Sequence, residues 1–150
     1  MVFISLVSLL YLGSRSFDEE KYEICELLYQ HTKDIEGTPY KLGSNKPSVG
    51  IDCSGFIYYM SKQIGNPIPR TTARKYYIMI DTSKTHWQES ECGYLVWWTL
   101  NNTRPFGHIG IMLEDNEFSH ASSSRGLIIS EFRENNYWDE HFEYSKKFFK

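Results

Sequence analysis

The sequence predicts an α+β fold in which helices come first and an antiparallel sheet follows. In the first part of the chain, apolar residues recur at steps of three and four, as at Phe56, Ile57, Met60 and Ile64. This is the spacing of one buried helix face. From Tyr94 onward the apolar residues form short continuous runs separated by turn residues, which is the pattern of strands joined by hairpins. Helices and strands segregated in this way are typical of an α+β protein.

The first helix is predicted from its cap. Ser16 is followed three residues later by Glu19, the pattern of a capping box. The apolar residues that follow continue to Ile35, and Gly37-Thr38-Pro39 ends the helix. From 40 to 51 the chain is rich in Gly, Ser, Asn and Pro, and we predict a loop there.

Two further helices and five strands complete the predicted order. The second helix runs from Cys53 to Gln63 and ends at Gly65, and a third, capped by Thr71 or Thr72, reaches Ile80. The strands are predicted at 94–99, 108–113, 118–121, 126–132 and 143–149.

The composition fits one folded domain and argues against nucleic acid, metals and cofactors as ligands. The chain has 150 residues, of which 41% are hydrophobic and 16% aromatic, enough for a buried core. Its net charge is −3 and no block of Lys or Arg stands out, so we expect no nucleic-acid partner. The three cysteines, Cys25, Cys53 and Cys92, show no C-x-x-C spacing, so we predict no metal site and no cofactor. An odd number leaves at least one thiol free unless it pairs between chains.

The segment 1–16 predicts a secretory signal peptide. Its apolar run of about twelve residues is short for a membrane span, which takes roughly 20 residues, but it suits the apolar part of a signal. Ser14-Arg15-Ser16 supplies a small-x-small cleavage pattern. The alternative is an N-terminal strand or helix packed on the domain. We therefore expect an exported protein, in the periplasm, the cell envelope or secreted, whose residues 17–150 form a single domain without membrane insertion.

The stretch Gly50-Ile-Asp-Cys-Ser-Gly-Phe56 places a cysteine at a predicted helix start. Asp52 is the predicted N-cap, and Cys53 is the first residue near the positive end of the helix dipole. We therefore expect a lowered pKa for the Cys53 thiol and a reactive thiolate. The alternative is a capped helix that carries an incidental cysteine.

Two of the five histidines lie in strands that one hairpin joins. His108 and His120 are twelve residues apart, and this even spacing allows both side chains to point to one face. Direct pairing would centre the turn on Glu114, but the turn formers Asp115 and Asn116 lie slightly beyond it. We therefore predict a bulge or a one-step offset in register. The alternative is two unrelated strand histidines.

Five blocks of sequence occur in an order that resembles a known family: Gly37-Thr-Pro-Tyr40, Asp52-Cys-Ser-Gly-Phe56, Pro69-Arg-Thr71, Gly107-His-Ile-Gly-Ile111 and His120-Ala-Ser-Ser-Ser124. Together, over roughly 34–150, they resemble the NlpC-type cell-wall endopeptidases, which are papain-like cysteine peptidases. The resemblance implies N-terminal helices packed on a central antiparallel sheet, with the nucleophile at a helix N-terminus. The sequence departs from the family pattern after Tyr40, where Lys41-Leu-Gly-Ser44 stands in place of a tryptophan and two glycines.

The resemblance also implies a role for each site residue. Cys53 would be the nucleophile, His108 the general base and His120 the third, polarising residue. The hydroxyl of Tyr40 would assist at the oxyanion site. Asp52 and Ser54 would hold the free amino end of a stem peptide; the alternative is that Asp52 does no more than cap the helix.

These roles imply a monomeric hydrolase whose partner is the stem peptide of peptidoglycan, with the γ-D-glutamyl bond to the diamino acid (diaminopimelate) as the expected site of cleavage. One alternative is a CHAP-like amidase or another thiol acyltransferase on the same fold. The lipid-directed enzymes of the superfamily generally have histidine before cysteine, whereas here Cys53 comes first. The other alternative is a non-catalytic domain that binds wall fragments, and the intact Cys/His/His set counts against it.

Overall fold

The computed structural model describes residues 16–100 and 103–149. The predicted signal segment lies outside the described residues except for Ser16, so the signal peptide stays a prediction. Within the described ranges, no helix combines the length and the apolar character needed to cross a membrane.

The three predicted helices form within a few residues of their expected bounds. They are α1 (Phe17–Asp34), α2 (Cys53–Gln63) and α3 (Ala73–Met79), and a short α4 (Tyr137–Glu140) follows later in the chain. The capping box of Ser16 and Glu19 is present, and Thr72 caps α3. One turn of 3₁₀ helix spans Trp87–Glu89. The sequence does not predict α4, because four residues are too few to show a helical period.

The strands of the described residues form a hairpin and one larger sheet. The hairpin pairs β1 (Asn45–Lys46) with β2 (Gly50–Ile51), inside the segment predicted as a loop. The larger sheet contains β3 (Lys84–Thr85), β4 (Tyr94–Leu100), β5 (Arg104–Met112), β6 (Glu117–Ser122), β7 (Gly126–Glu131) and β8 (Phe142–Lys147). Its order is β3-β8-β4-β5-β6-β7, and every neighbouring pair is antiparallel. The predicted α+β class with an antiparallel sheet is confirmed.

Both faces of this sheet are covered, and β4 contributes to both cores. Leu95 and Trp97 pack in the cluster that contains α2 and α3, whereas Val96 and Trp98 pack in a second, mainly aromatic cluster. Successive residues of a strand point to opposite faces, so the continuous apolar run of β4 is explained by burial on both sides. The second cluster is the one that surrounds the two strand histidines.

A disulfide accounts for two of the three cysteines. Cys25 of α1 is joined to Cys92, just before β4, across a Cα–Cα distance of 5.8 Å. Cys53 is the free cysteine of the described residues. The free thiol expected from the odd number of cysteines is therefore that of Cys53, at the start of α2.

Candidate active site

Cys53 begins α2 because the preceding residue caps that helix. The carboxylate of Asp52 accepts a hydrogen bond from the backbone N–H of Gly55 at 2.6 Å, which satisfies one of the free N–H groups at the helix start. Gly55 itself lies against the 43–45 loop, where an added Cβ would be 2.1 Å from the carbonyl oxygen of Ser44. The glycine of the Asp-Cys-Ser-Gly block thus allows this loop to close over the first turn of α2.

The carboxylate of Asp52 is engaged by donors from three parts of the chain. Besides Gly55, it accepts from the backbone N–H of Gly43 at 2.6 Å and from the hydroxyl of Ser54 at 3.1 Å. Nη2 of Arg70 donates to both of its oxygens, at 2.9 and 3.0 Å, and Nη1 of Arg70 donates to Ser54 at 2.7 Å. Of the two roles that the sequence leaves open for Asp52, these contacts favour the cap, and the recognition role stays a prediction.

His108 on β5 and His120 on β6 lie close together across a hairpin that has the predicted offset in register. Ile111 pairs with Ser119, which moves the centre of the hairpin from Glu114 to Asp115. Asp115 and Asn116 have φ values of 54° and 61°, the left-handed backbone that a type I′ turn requires. Nε2 of His108 then lies 2.8 Å from Nδ1 of His120.

A serine on the neighbouring strand extends this pair. Nε2 of His120 lies 3.0 Å from the hydroxyl of Ser130 on β7. Since Nε2 of His108 faces His120, only its Nδ1 is left to accept a proton. A neutral His108 with a free Nδ1 must donate from Nε2 to His120, and His120 must then donate from Nε2 to Ser130. The three side chains form one directional chain of hydrogen bonds.

Aromatic rings enclose the two histidines. The ring centroid of Trp98 is 5.5 Å from that of His108, and Trp138 and Phe118 are 4.5 and 5.2 Å from His120. Burial lowers the pKa of His108 from 6.5 to about 4. Burial also lowers the pKa of His120 well below its usual value, with smaller contributions from the charges of His108 and Arg125. Both imidazoles are therefore neutral at pH 7.

Cys53 does not have the lowered pKa that its position predicts. Burial, and then the charge of Asp52, raise the pKa of the thiol to about 11, against the opposing effect of hydrogen bonds from the backbone N–H groups of Ile109, Ser54 and Cys53. The expectation was wrong because it counted the helix terminus and omitted desolvation, which disfavours a thiolate that is only 8% exposed. In the free protein, Cys53 is a thiol beside a neutral His108.

A cavity of about 300 Å³ joins the candidate residues. Its lining residues include Tyr40, Cys53, His108, Arg125 and Trp138. His120 is fully buried and does not line this cavity, so it contacts the cavity only through His108.

Tyr40 is positioned by a short parallel bridge to Ile51, which lies two residues before Cys53. Burial, followed by the charges of Cys53 and Asp52, raises the pKa of Tyr40 to about 12. Its hydroxyl thus keeps its proton at neutral pH and is able to donate it in a hydrogen bond.

Three residues at the site have no role in the sequence interpretation. Arg70 lies in the Pro-Arg-Thr block but shows no local sign of its bond to Asp52, which is 18 positions away. Ser130 is an ordinary strand serine, and Trp138 belongs to a polar segment that gives no periodic signal. Each comes from a different segment, the link between α2 and α3, β7 and α4, and only the folded chain brings these segments to the site.

Comparisons with known proteins show the family of the chain. Residues 37–146 match the sequence model of the NlpC/P60 family. The murein DD-endopeptidase MepS/murein LD-carboxypeptidase of Escherichia coli (strain K12) is 33% identical over 115 residues, which are 76% of this chain and 57% of that protein. The probable peptidoglycan endopeptidase LytE of Bacillus subtilis (strain 168) is 35% identical over 122 residues, 81% of this chain and 34% of that protein.

A solved structure shows the same fold. The crystal structure of a Staphylococcus aureus protein described as similar to a lipoprotein of the NLP/P60 family matches with a TM-score of 0.69 and 28% identity, over 90% of this chain and 43% of that one. The matched part thus makes up little more than half of MepS and about a third of LytE. The family match covers more than two thirds of the residues, and the chain belongs to the NlpC/P60 family.

Proposed function

We propose that this chain is a cysteine endopeptidase that hydrolyses amide bonds in the peptide stems of peptidoglycan. The observation that carries the proposal is the shared cavity of Cys53 and His108, with His108 backed by the buried His120–Ser130 chain. A nucleophile, a base and a group that orients the base are what covalent amide hydrolysis requires. MepS and LytE, both named as peptidoglycan or murein endopeptidases, support the same substrate class.

The proposed reaction begins with attack of the Cys53 sulfur on the amide carbonyl. The thiol proton passes to Nδ1 of His108, and the backbone N–H of Cys53 and the hydroxyl of Tyr40 stabilise the oxyanion, each such donor being worth ~3 kcal/mol. His108 then donates its proton to the leaving amine, which leaves a thioester on Cys53. Water, deprotonated by His108, hydrolyses the thioester and restores the thiol.

The chain of hydrogen bonds behind His108 matters at the moment of proton transfer. When Nδ1 takes the proton, the imidazolium of His108 donates from Nε2 to the neutral Nδ1 of His120. His120 is held with this nitrogen free because its own proton lies on the side of Ser130. The charge that appears during attack therefore meets an acceptor already in place.

The bond to be cut has two candidates. The family resemblance favours the γ-D-glutamyl bond to the diamino acid, whereas the name of MepS favours a D,D cross-link between stems. Digestion of purified peptidoglycan, with mass spectrometry of the new termini, separates them. New D-glutamyl γ-carboxyl ends support the first and new D-alanyl ends the second.

The control for this digestion is Cys53→Ala, which we expect to be inactive and folded. If Cys53→Ala retained more than a few per cent of the wild-type rate, the assignment of Cys53 as the nucleophile would be wrong. A wild-type digest without any new terminus would favour the non-catalytic wall-binding alternative. Cleavage between the sugar and the peptide would favour the amidase alternative.

The proposed binding of a free amino terminus by Asp52 and Ser54 has its own test. Asp52→Asn keeps a capping oxygen and removes the charge. If the carboxylate recognises substrate, KM rises for peptides with a free amine and changes little for N-acetylated ones. Equal changes in KM for both peptides would contradict the recognition role and would mean that Asp52 only caps α2 and pairs with Arg70.

We further propose that the protein acts outside the cytoplasmic membrane. Its proposed substrate lies there, and the Cys25–Cys92 disulfide is a bond that persists in oxidising compartments. Fractionation of cells that express the full chain, with sequencing of the mature N-terminus, tests both export and cleavage near Ser16. Full-length protein confined to the cytoplasm would contradict the proposal.

A further inference from the structure

The turn between β6 and β7 forms one wall of the active-site cavity. Ser122, Ser123, Ser124 and Arg125 all line it, together with Cys53 and His108. The proposed catalytic roles use none of these four residues. Three serines and an arginine therefore line the cavity that also contains the candidate nucleophile.

This turn is held in a fixed position by the rest of the fold. The backbone N–H of Arg125 donates to the hydroxyl of Ser122 at 3.3 Å. Gly126, with φ of 76°, lies so close to Thr38 that an added Cβ would be 2.5 Å from the Thr38 carbonyl oxygen. The same carbonyl accepts from the backbone N–H of Leu127 at 2.9 Å. The base of the Arg125 side chain is thus anchored to the segment that carries Tyr40.

Arg125 is the charged side chain of the cavity. Among the described lining residues, the others are aromatic, aliphatic, hydroxyl or glycine side chains, the thiol of Cys53 and the neutral His108. Within residues 16–100 and 103–149, no carboxylate forms an ion pair with its guanidinium. Its charge nevertheless acts on His120 and helps to lower the pKa of that residue, so it lies near the catalytic chain.

We propose that Arg125 is a specificity-determining residue that binds a carboxylate of the stem peptide next to the scissile bond. The inference rests on the proposed function. The planar fork of a guanidinium matches a carboxylate with two parallel hydrogen bonds. Glutamate linked through its γ-carboxyl keeps a free α-carboxylate, and diaminopimelate carries a further carboxylate on the other side of the bond. Either group presents the same chemistry to Arg125.

The test compares stem peptides that differ by one charge. Three peptides are needed: one with both carboxylates free, one amidated at D-glutamate, and one amidated at the diamino acid. Arg125→Gln is expected to lower kcat/KM about ten- to a hundredfold on the fully charged peptide. It should have no effect on the peptide that lacks the recognised carboxylate, which identifies that carboxylate. Arg125→Lys should retain part of the preference, because it keeps the charge and loses the fork.

Arg74→Gln is the matched control, since Arg74 is also exposed, lies on α3 and does not line the cavity. It should leave kcat/KM unchanged on all three peptides. Raising the salt concentration should weaken the preference of the wild type, because an exposed ion pair is screened. Equal losses on charged and amidated peptides, or no loss on either, would overturn the role of Arg125.

Binding separates this inference from the proposed reaction. In the Cys53→Ala background, Arg125→Gln should raise the Kd of the fully charged peptide about tenfold and leave that of one amidated peptide unchanged. If the wild type cleaves no stem peptide, the proposed function fails, while this measurement still decides on Arg125. A Kd that is insensitive to Arg125→Gln, or no binding of any stem peptide, would overturn the inference.

Discussion

Cys53 and His108 stand in the free protein as a thiol beside a neutral imidazole. Burial raises the pKa of the first to about 11 and lowers that of the second to about 4. In the proposed reaction, the thiol proton therefore moves to His108 as the sulfur attacks, whereas in a preformed thiolate–imidazolium pair it has moved before the substrate binds.

Alkylation by iodoacetamide tests this protonation state. We expect the rate at Cys53 to stay low at neutral pH and to rise above pH 9, since only the thiolate reacts. Cys53→Ala should take up no label under non-reducing conditions, because Cys25 and Cys92 are joined. A rate that is already at its plateau from acid pH upward would show a preformed ion pair.

Ser130 is expected to position His120. Ser130→Ala should lower kcat about fivefold with little change in KM, because a net hydrogen bond is worth ~1 kcal/mol and the substrate does not touch this residue. Ser130→Thr keeps the hydroxyl and should restore most of the rate. An unchanged kcat in Ser130→Ala, or an equal loss in Ser130→Thr, would contradict the positioning role.

Sequence and structure agree at this scale where the signal is local. Cys53, His108 and His120 lie in short blocks that predict them as site residues; in the structure Cys53 and His108 line one cavity, and His120 contacts His108. The thiol pKa could not be predicted, because burial depends on what packs over the helix start. Arg70 and Ser130 could not be assigned either, since their partners lie 18 and 10 residues away.

Among the elements, the start of α2 depends most on residues outside it. Asp52 is almost fully buried, and its partner Arg70, from the link between α2 and α3, is 28% exposed. Removal of one member of such a pair leaves a buried charge without its counter-ion.

Arg70→Met should therefore destabilise the protein by about 3 kcal/mol, measured by urea unfolding. The matched control is Arg133→Met, which removes the exposed pair with Glu131 and should change the free energy of unfolding much less, because solvent screens such a pair. Equal losses in the two variants would mean that the Asp52–Arg70 pair acts as a surface pair.

The bounds of α1, α2 and α3 were predictable to within a residue or two, because Ser16, Asp52 and Thr72 cap their own first turns. The two-residue strands β1, β2 and β3 were not, since no period can be read from so short a segment. The β5–β6 offset was predictable from the position of Asp115 and Asn116.

For the whole molecule, the buried neutral histidines link stability to pH. Between pH 6.5 and 4 the unfolded chain takes up protons at His108 and His120 that the folded protein does not, so the free energy of unfolding falls as the pH falls. The loss is about 3 kcal/mol for His108 alone. Urea unfolding at pH 7.5, 6, 5 and 4 measures it.

The double variant His108→Gln/His120→Gln should lose most of this dependence above pH 5. Some carboxylates, such as Glu131 and Asp139, have a pKa that is lowered by their partners. They change the free energy of unfolding only at lower pH, where carboxylates take up protons. A wild-type stability that stays flat from pH 6.5 to 5, or a double variant with the same slope, would contradict the assignment.

At this scale the sequence predicted the α+β class and the antiparallel sheet, and both are confirmed. The strand order could not be predicted, because pairing between β3 and β8 joins segments far apart in the chain. The division of the core into two clusters could not be predicted either. A run such as Leu95-Val-Trp-Trp98 indicates that both faces of the strand are buried, but it does not indicate which residues pack on each face.

The place of β8 in the sheet has a consequence for how the protein is made. β8 is the last of these strands in the chain, yet it lies between β3 and β4. During synthesis β4 can pair with β5 as soon as both have emerged, but its other edge stays open until residues 142–147 have been added. Until then, one edge of β4 carries unpaired backbone N–H and C=O groups, and such an edge makes a nascent chain prone to association with other chains. The sheet closes only after its final strand arrives.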